Sequence, residues 1–188
     1  MNGKSHKYKE FGMEKIELEY NLLLEDYLAV EEYSYYHDLN DSYKVLKKST
    51  LMSLYLVAVV VMVLCVYLAP DFGILLFPFV IVAIILFYRK SGDQWTWKRL
   101  ETKIKKHVIN YQFNGDPQGM NNCRLQGDAS SICVWTNEEN LLFHRGRARA
   151  IAIEKNYFFI FDDRGRGIGV PLGRVTEVEQ RYFEKWCI

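Results

Sequence analysis

One stretch of the sequence decides what kind of protein this chain can be. Residues 51–69 read LMSLYLVAVVVMVLCVYLA and carry no charged side chain. A helix needs about 20 predominantly apolar residues to cross the roughly 30 Å of hydrocarbon in a bilayer. The length and composition of this run therefore predict a transmembrane helix.

A second apolar run follows after a short connection. It covers residues 72–88, and Asp71 is placed to cap the N-terminus of its helix. Trp95 and Trp97 supply interfacial aromatic side chains beyond the other end. The two runs together predict a transmembrane hairpin over residues 51–88. The alternative is a helical hairpin buried in a soluble core, but a small domain has too little chain to cover two helices that are apolar on every side.

The bases around the hairpin predict its orientation. None lies in the connection that contains Asp71, whereas both flanks carry them: Lys47 and Lys48 before the first span, Arg89 and Lys90 after the second. Cytoplasmic flanks of membrane helices carry an excess of Lys and Arg. The sequence thus predicts a multi-pass protein of the cytoplasmic (inner) membrane with both termini in the cytoplasm.

The chain before the hairpin divides into two parts. Residues 1–14 are polar and lack a continuous apolar core, so we expect a flexible tail and not a cleaved signal peptide. Residues 15–48 predict a strand and a pre-membrane helix. Side chains at 15–20 alternate between charged and apolar, which is typical of a half-buried strand, and helical spacing follows. The polar residues 40–42 either interrupt this helix or cap a new one.

A basic helix is predicted directly after the hairpin, over residues 95–111. Apolar side chains recur there at helical spacing, at Trp97, Leu100, Ile104, Val108 and Tyr111. The opposite face carries Lys98, Arg99, Lys103, Lys105 and Lys106. Such a face is attracted to anionic lipid by ~1 kcal/mol for each base near the bilayer surface. The alternative is a stalk helix whose bases fix the topology and stay solvated.

Residues 112–188 predict a small cytoplasmic β domain. A short strand is predicted at 123–125, and later strand-like runs are separated by turn signals at short intervals, which favours an antiparallel meander. Those runs end at Trp135, Arg145, Lys155, Phe161 and Leu172. A helix over residues 176–187 closes the chain, because Thr176 and Glu179 have the spacing of a capping box. Its apolar stripe is formed by Val178, Tyr182, Phe183 and Trp186.

The predicted fold class is therefore an α+β membrane protein. A two-helix transmembrane hairpin is inserted in a small antiparallel β domain, and a C-terminal helix closes that domain. Within the domain, the densest basic cluster contains Arg145, Arg147 and Arg149. It is a candidate surface for lipid phosphates or an acidic partner, the alternative being ordinary exposed arginines at strand ends.

The sequence contains no pattern typical of a catalytic or metal site. Its cysteines form no C-x-x-C pair of the kind that binds zinc. A disulfide between Cys123 and Cys133 is an alternative to free thiols, but a reducing cytoplasm favours the thiols. The glycine-rich residues 165–169 precede another strand, whereas a phosphate-binding loop opens a helix, so we predict a hairpin turn. We expect no enzymatic activity, no cofactor, no metal and no nucleic-acid partner.

Several features of the sequence resemble those of the YcxB-like family of small bacterial membrane proteins. The features that carry the resemblance are an aromatic strand, a strand that ends in proline and an aromatic residue in the closing helix: Tyr157, Phe158, Phe159, Pro171 and Phe183. The resemblance extends from about Lys15 to the C-terminus. This chain has alanines at 148 and 150 where the family usually has an aromatic residue. The resemblance implies a domain similar to the pleckstrin-homology fold, with the strand at 15–20 joining the later sheet, and it transfers no enzymatic residue.

Two hypotheses about function follow from the sequence. The first is a non-enzymatic inner-membrane protein whose cytoplasmic domain binds a protein partner or anionic lipid headgroups close to the bilayer. The alternative is an immunity or self-protection protein that neutralises a membrane-active toxin or bacteriocin, which the small size and the membrane location suggest. The identity of the partner and the oligomeric state stay open.

Overall fold

A computed structural model describes residues 15–68, 79, 81–137 and 139–188 of the chain. Those residues form a mixed α+β protein with two antiparallel sheets. The chain divides into two compact units, one formed by Met1–Glu31 with Val108–Ile188, which we call the β domain from here on, and the other by Glu32–His107. The predicted tail at 1–14, the connection that contains Asp71 and residues 72–78 of the second predicted span lie outside the described residues.

The larger sheet has four strands in the order β1-β2-β3-β4. Their bounds are β1 Ile16–Leu22, β2 Asn121–Gly127, β3 Ser131–Trp135 and β4 Asn140–His144. Inward-facing apolar side chains align across the strands: Leu18 pairs with Leu125, and Leu125 with Val134. As expected, the strand before the helices joins the later sheet. The short strand predicted at 123–125 is in fact seven residues long, because pairing with β1 extends it.

The smaller sheet has three strands in the order β5-β6-β7. Their bounds are β5 Ala150–Glu154, β6 Tyr157–Phe161 and β7 Gly167–Pro171. A 3-10 turn at Arg145–Arg147 separates β4 from β5, and these two strands do not pair. The prediction of one continuous meander is therefore wrong at this point. The backbone N–H of Arg145 still bonds to Ser130, directly before β3 of the larger sheet, whereas that of Arg149 already bonds to Phe161 in the smaller one.

Two tight turns fix the pairing within the smaller sheet. Lys155 and Asn156 both have positive φ, 49° and 66°, as a two-residue type I′ hairpin requires. Strand β5 therefore ends at Glu154 and not at Lys155. In the second turn Gly165 has φ 78°, and the Asp162 carboxylate accepts hydrogen bonds from two backbone amides. The predicted hairpin turn at the glycine-rich residues is thus confirmed.

The closing helix α4, Glu177–Trp186, begins with the predicted capping box between Thr176 and Glu179. Tyr182, Phe183 and Trp186 are buried, and the Phe183 ring stacks on Phe158 with the centroids 4.6 Å apart. Val178 is 71% exposed, so its inclusion in the apolar stripe was wrong. Successive residues of a helix are about 100° apart around its axis, so Val178 lies roughly 85° from the middle of the buried face. It is therefore at the edge of the face of α4 that packs on the sheet.

The helices before and after the apolar region are α1 Leu24–Tyr36, α2 Asp41–Leu68 and α3 Asp93–Tyr111. Asp38 has φ 53° between α1 and α2, and the Asn40 side chain accepts the backbone N–H of Ser42. The polar residues at 40–42 therefore cap a new helix. Residues 81–87 are helical and continue through a π-helical turn, Tyr88–Gly92, into α3. Both α1 and α3 pass from one unit into the other.

One predicted apolar position of α3 is not buried. Tyr111 is 70% exposed, whereas Val108 is buried. The helix ends at Tyr111, and Phe113 in the following turn enters the core and contacts the Tyr27 ring edge-on. At this end of α3 the aromatic side chain in the core is therefore that of Phe113, in the turn, and not that of Tyr111, in the helix.

Candidate functional site

Almost none of the residues that the structure describes packs against the apolar part of α2. Only 6% of the apolar window within Asp41–Leu64 is buried. Among the described residues, this is the one helix whose length and composition suit a membrane crossing. A core helix of a soluble protein can share that composition, but its apolar side chains are covered by the rest of the molecule. Here the exposed side chains include Leu56, Val57, Val59, Val60, Val61, Val63 and Leu64.

The helical residues 81–87 show the same property. More than half of the side-chain surface of Val82, Leu86 and Phe87 is exposed. These residues belong to the second predicted span, 72–88. Both described parts of the predicted hairpin thus present apolar side chains that no described residue covers.

An aromatic cluster holds the polar ends of these helices together. Tyr35 is fully buried, and its ring centroid lies 5.4 Å from that of Trp97 and 5.8 Å from that of Tyr43. The Tyr35 hydroxyl donates a hydrogen bond to the Asp93 carbonyl at 3.2 Å. Burial, with the negative charge of Asp93 in addition, raises the pKa of this hydroxyl well above its usual value. Tyr35 therefore acts as a neutral packing residue.

The predicted topology base Lys47 contacts this cluster. Its ammonium donates to the Tyr35 carbonyl and to the Asp38 carboxylate, each at 2.7 Å, and lies 4.4 Å from the centre of the Tyr35 ring. The side chain is only 17% exposed. Lys47 thus satisfies a carbonyl at the end of α1, whereas Lys48 is exposed. Asp71 and the side chains of Arg89 and Lys90 lie outside the described residues.

All five predicted bases of α3 are exposed: Lys98, Arg99, Lys103, Lys105 and Lys106. At about 100° per residue they fall within an arc of about 160°, opposite the face that carries Trp97 and Ile104. The Arg99 guanidinium lies 3.8 Å from the centre of the Trp95 ring. This cation–π contact was not part of the sequence prediction, although the four-residue spacing of the two side chains is a signal for it.

Arg99 and Lys103 also line a groove between α2 and α3, which we call the α2–α3 groove. It encloses about 340 Å³. Leu46, Leu54 and Val57 contribute its apolar wall from α2, and Trp95 and Leu100 line it from α3. Two of the five predicted bases are thus brought beside the first turns of the apolar run. The other three do not line the groove.

The arginine cluster of the β domain is only partly available for binding. Arg145 donates to the Lys185 carbonyl at 2.9 Å, and its guanidinium lies 5.9 Å from the Trp186 ring. It therefore caps the C-terminal end of α4. Arg147 and Arg149 are exposed. The structure thus separates one arginine with a packing role from two at the surface.

Sequence reasoning missed a buried carboxylate in the β domain. Asp26 is 0% exposed and accepts hydrogen bonds from the Leu23 backbone N–H at 2.7 Å, the Tyr157 hydroxyl at 2.9 Å and the Arg174 guanidinium at 2.7 Å. Arg174 also pairs with Glu25. Burial and the hydrogen bond to Asp26 raise the pKa of Tyr157 well above its usual value. This network links the start of α1 to β6 and the turn after β7.

The cysteines of the β domain are free thiols: Cys123, Cys133 and Cys187. The sheet register places Cys123 opposite Tyr20 and Cys133 opposite Gln126, so the alternative disulfide between them does not form. Burial raises the pKa of the Cys123 thiol to about 11. No group of three or more His, Cys, Asp or Glu side chains in the described parts of the chain is arranged to hold a metal ion.

Comparison of the chain with protein-family models, with curated proteins and with solved structures found no match in any of the three. The likeness to the YcxB-like family therefore depends on the residues quoted above alone.

Proposed function

We propose that this chain is a non-enzymatic protein of the cytoplasmic membrane. In this proposal α2 and the apolar run that reaches Tyr88 form a transmembrane hairpin, and both termini lie in the cytoplasm. The cytoplasmic part of the chain, which comprises the basic helix α3 as well as the β domain, acts as a binding module next to the bilayer, for lipid headgroups in the first place. The observation that carries the proposal is the uncovered apolar surface of α2.

The exposure of α2 is difficult to reconcile with an aqueous environment. Exposed side chains occur at Leu56, Val57, Val59 and Val60, which point in different directions around the helix. Soluble monomers rarely expose continuous apolar patches larger than a few hundred Å², and each Å² of apolar surface left in water forgoes about 25 cal/mol. A helix that is apolar all round and lacks a protein covering is best accommodated in lipid.

The pairing of β1 with β2 supports an even number of membrane crossings. Leu22 at the end of β1 is the register partner of Asn121 at the start of β2, and all the helices between them are inserted at this point. Because β1 and β2 pair in one sheet, the chain has to leave and re-enter on the same side of any membrane that it crosses. If α2 crosses once, a second crossing is required. The apolar run at 72–88 is the segment that supplies it.

Lipid headgroups are favoured as the ligand because bases and apolar surface lie side by side. Arg99 and Lys103 line the same groove as Leu54 and Val57. A phospholipid has the complementary arrangement, with an anionic phosphate next to its acyl chains. The arrangement of four strands plus three strands closed by a helix supports the pleckstrin-homology-like domain that the resemblance to the YcxB-like family implies. A protein partner stays the second choice, with Arg147 and Arg149 as its exposed bases.

Membrane extraction tests the proposal. After alkaline carbonate treatment of cell membranes, the full-length protein is expected in the membrane pellet. Replacing Val59 and Val60 by Lys places two charges near the middle of the span, at a cost of about 2.5–3.5 kcal/mol each. The fraction of this variant in the membrane pellet should be several-fold lower than that of the unaltered protein. Release of the unaltered protein into the supernatant would be incompatible with a transmembrane hairpin.

A matched control separates the effect of the span from that of an added charge. Val45 is an exposed apolar residue of the same helix that precedes the apolar run. Val45→Lys should therefore leave the fraction in the pellet unchanged. If this variant is extracted as readily as the double-lysine variant, the loss does not report on the span.

A further inference from the structure

The α2–α3 groove separates its charged and apolar sides. The Thr50 and Ser53 hydroxyls on the α2 side donate to backbone carbonyls of their own helix, at 3.0 Å each. The α2 side therefore offers mainly apolar surface to an occupant. The cationic donors, Arg99 and Lys103, come from α3.

The two bases of the groove are available to an anion. Neither forms a salt bridge with a residue in the described ranges, in contrast to Lys47, which pairs with Asp38. The Arg99 guanidinium carbon lies over the Trp95 ring, 3.8 Å from its centre, and this cation–π contact holds the side chain at the groove. The N–H groups at the guanidinium edge remain able to donate to phosphate oxygens.

The size and position of the groove suit one occupant. A volume of about 340 Å³ is within the roughly 300–1,000 Å³ of small-molecule pockets. Leu54 and Val57 line it from within the apolar run, so the groove continues onto the apolar surface of α2. An occupant with an anionic head and a long apolar tail matches both features.

We propose that the α2–α3 groove binds one anionic phospholipid. Its phosphate lies against Arg99 and Lys103, and one acyl chain follows Leu54 and Val57 along α2. The inference rests on the proposed membrane location and adds a selective lipid site to it. Each base near the surface favours an anionic over a neutral lipid by about fivefold, so two bases together give up to about 25-fold, and we expect a preference of at least about tenfold.

Quenching of Trp95 fluorescence by brominated lipids tests this site. The full chain is reconstituted in phosphatidylcholine bilayers that contain a small amount of either brominated phosphatidylglycerol or brominated phosphatidylcholine. The quenching of Trp95 itself is obtained by subtracting the fluorescence signal of the Trp95→Phe variant from that of the unaltered protein. Half-maximal quenching should require on the order of tenfold less brominated phosphatidylglycerol than brominated phosphatidylcholine.

Two paired variants distinguish the groove from general charge. Arg99→Gln with Lys103→Gln should abolish the preference for phosphatidylglycerol. Lys98→Gln with Lys105→Gln removes the same charge from the same helix outside the groove and should retain it. Arg99→Lys with Lys103→Arg keeps both charges and should also retain it. Equal losses in the two Gln pairs would show a general attraction and overturn the site.

The same measurement separates failure of the site from failure of the membrane proposal. Equal quenching by both brominated lipids would overturn the selective site while leaving the membrane location intact. Absence of quenching by either lipid, together with protein that does not sediment with the vesicles, would overturn both.

Discussion

Asp26 shows how one residue joins distant parts of the β domain. Its carboxylate is completely buried and accepts donors from α1, from β6 and from the turn after β7. A buried carboxylate is stable only when such donors compensate for its lost hydration. We therefore assign Asp26, Tyr157 and Arg174 a structural role.

Asp26→Asn should lower the free energy of unfolding of the β domain by about 2–3 kcal/mol. Removing one partner of a buried ion pair typically costs about 3–5 kcal/mol. We expect a smaller loss here because Arg174 is partly exposed and keeps Glu25 as a partner. Guanidinium unfolding of the full chain in detergent, followed by tryptophan fluorescence, measures the change. Asp163→Asn alters an exposed carboxylate and should change stability by less than about 0.5 kcal/mol. Equal effects of the two substitutions would argue against the network.

Tyr182 gives the β domain a dependence on alkaline pH. Its hydroxyl donates to the Asp128 carbonyl at 2.7 Å, and burial raises its pKa from 10.0 to about 12. A raised pKa in the folded state means that the stabilisation is complete below pH 10 and is lost as the pH rises through 12. Tyr182→Phe should cost about 0.5–1.5 kcal/mol at neutral pH and flatten the decline in unfolding free energy between pH 10 and 12. An unaltered slope in this variant would contradict the assignment.

At the scale of elements, turns decide how the strands pair. The smaller sheet depends on the type I′ turn at Lys155 and Asn156, in which both residues have positive φ. Asn tolerates this backbone conformation, whereas a β-branched residue does so poorly. The turn also places Tyr157 opposite Glu154 and thereby fixes the register of β5 against β6.

Asn156→Val should destabilise this hairpin by about 1–2 kcal/mol, because the left-handed conformation is costly for a β-branched side chain. Asn156→Gly should be tolerated. Hydrogen exchange of the β5 and β6 amides, measured by mass spectrometry, reports the opening of this hairpin directly. Faster exchange in the Gly variant than in the Val variant would be inconsistent with a positive-φ requirement.

The elements that the sequence predicts well are those with a strong local pattern. The strand at β1, the helix at α3 and the capping box at Thr176 each have a clear period or a fixed spacing. The split into two sheets at Arg145–Arg147 was not predicted, because it depends on which distant strand each backbone amide meets. Asp26 was missed for the same reason, since its donors lie far along the chain.

The candidate site was predicted only as a set of bases. Helical spacing placed all five bases of α3 on one face, and they are exposed there. Spacing within one helix cannot show which of them meet a second helix. Only the packing of α2 against α3 selects Arg99 and Lys103, and only the end of α1 gives Lys47 its partners.

For the whole molecule, the central feature is an apolar insertion between two paired strands. The β domain begins with β1, and its second strand follows only after the helices, at Asn121. Pairing of β1 with β2 requires both ends of the insertion to return to one sheet. Together with the exposed apolar surface of α2, this arrangement is the basis of the proposed hairpin.

Cysteine accessibility in intact cells tests this account most directly. In a variant whose four native cysteines are replaced, single cysteines are introduced at Asp71, Lys48 and Glu184, and cells are treated with a membrane-impermeant maleimide. We predict that Asp71→Cys is labelled in intact cells, whereas Lys48→Cys and Glu184→Cys are labelled only after permeabilisation. Labelling of Asp71→Cys only after permeabilisation, or of Lys48→Cys in intact cells, would contradict the proposed hairpin and its orientation.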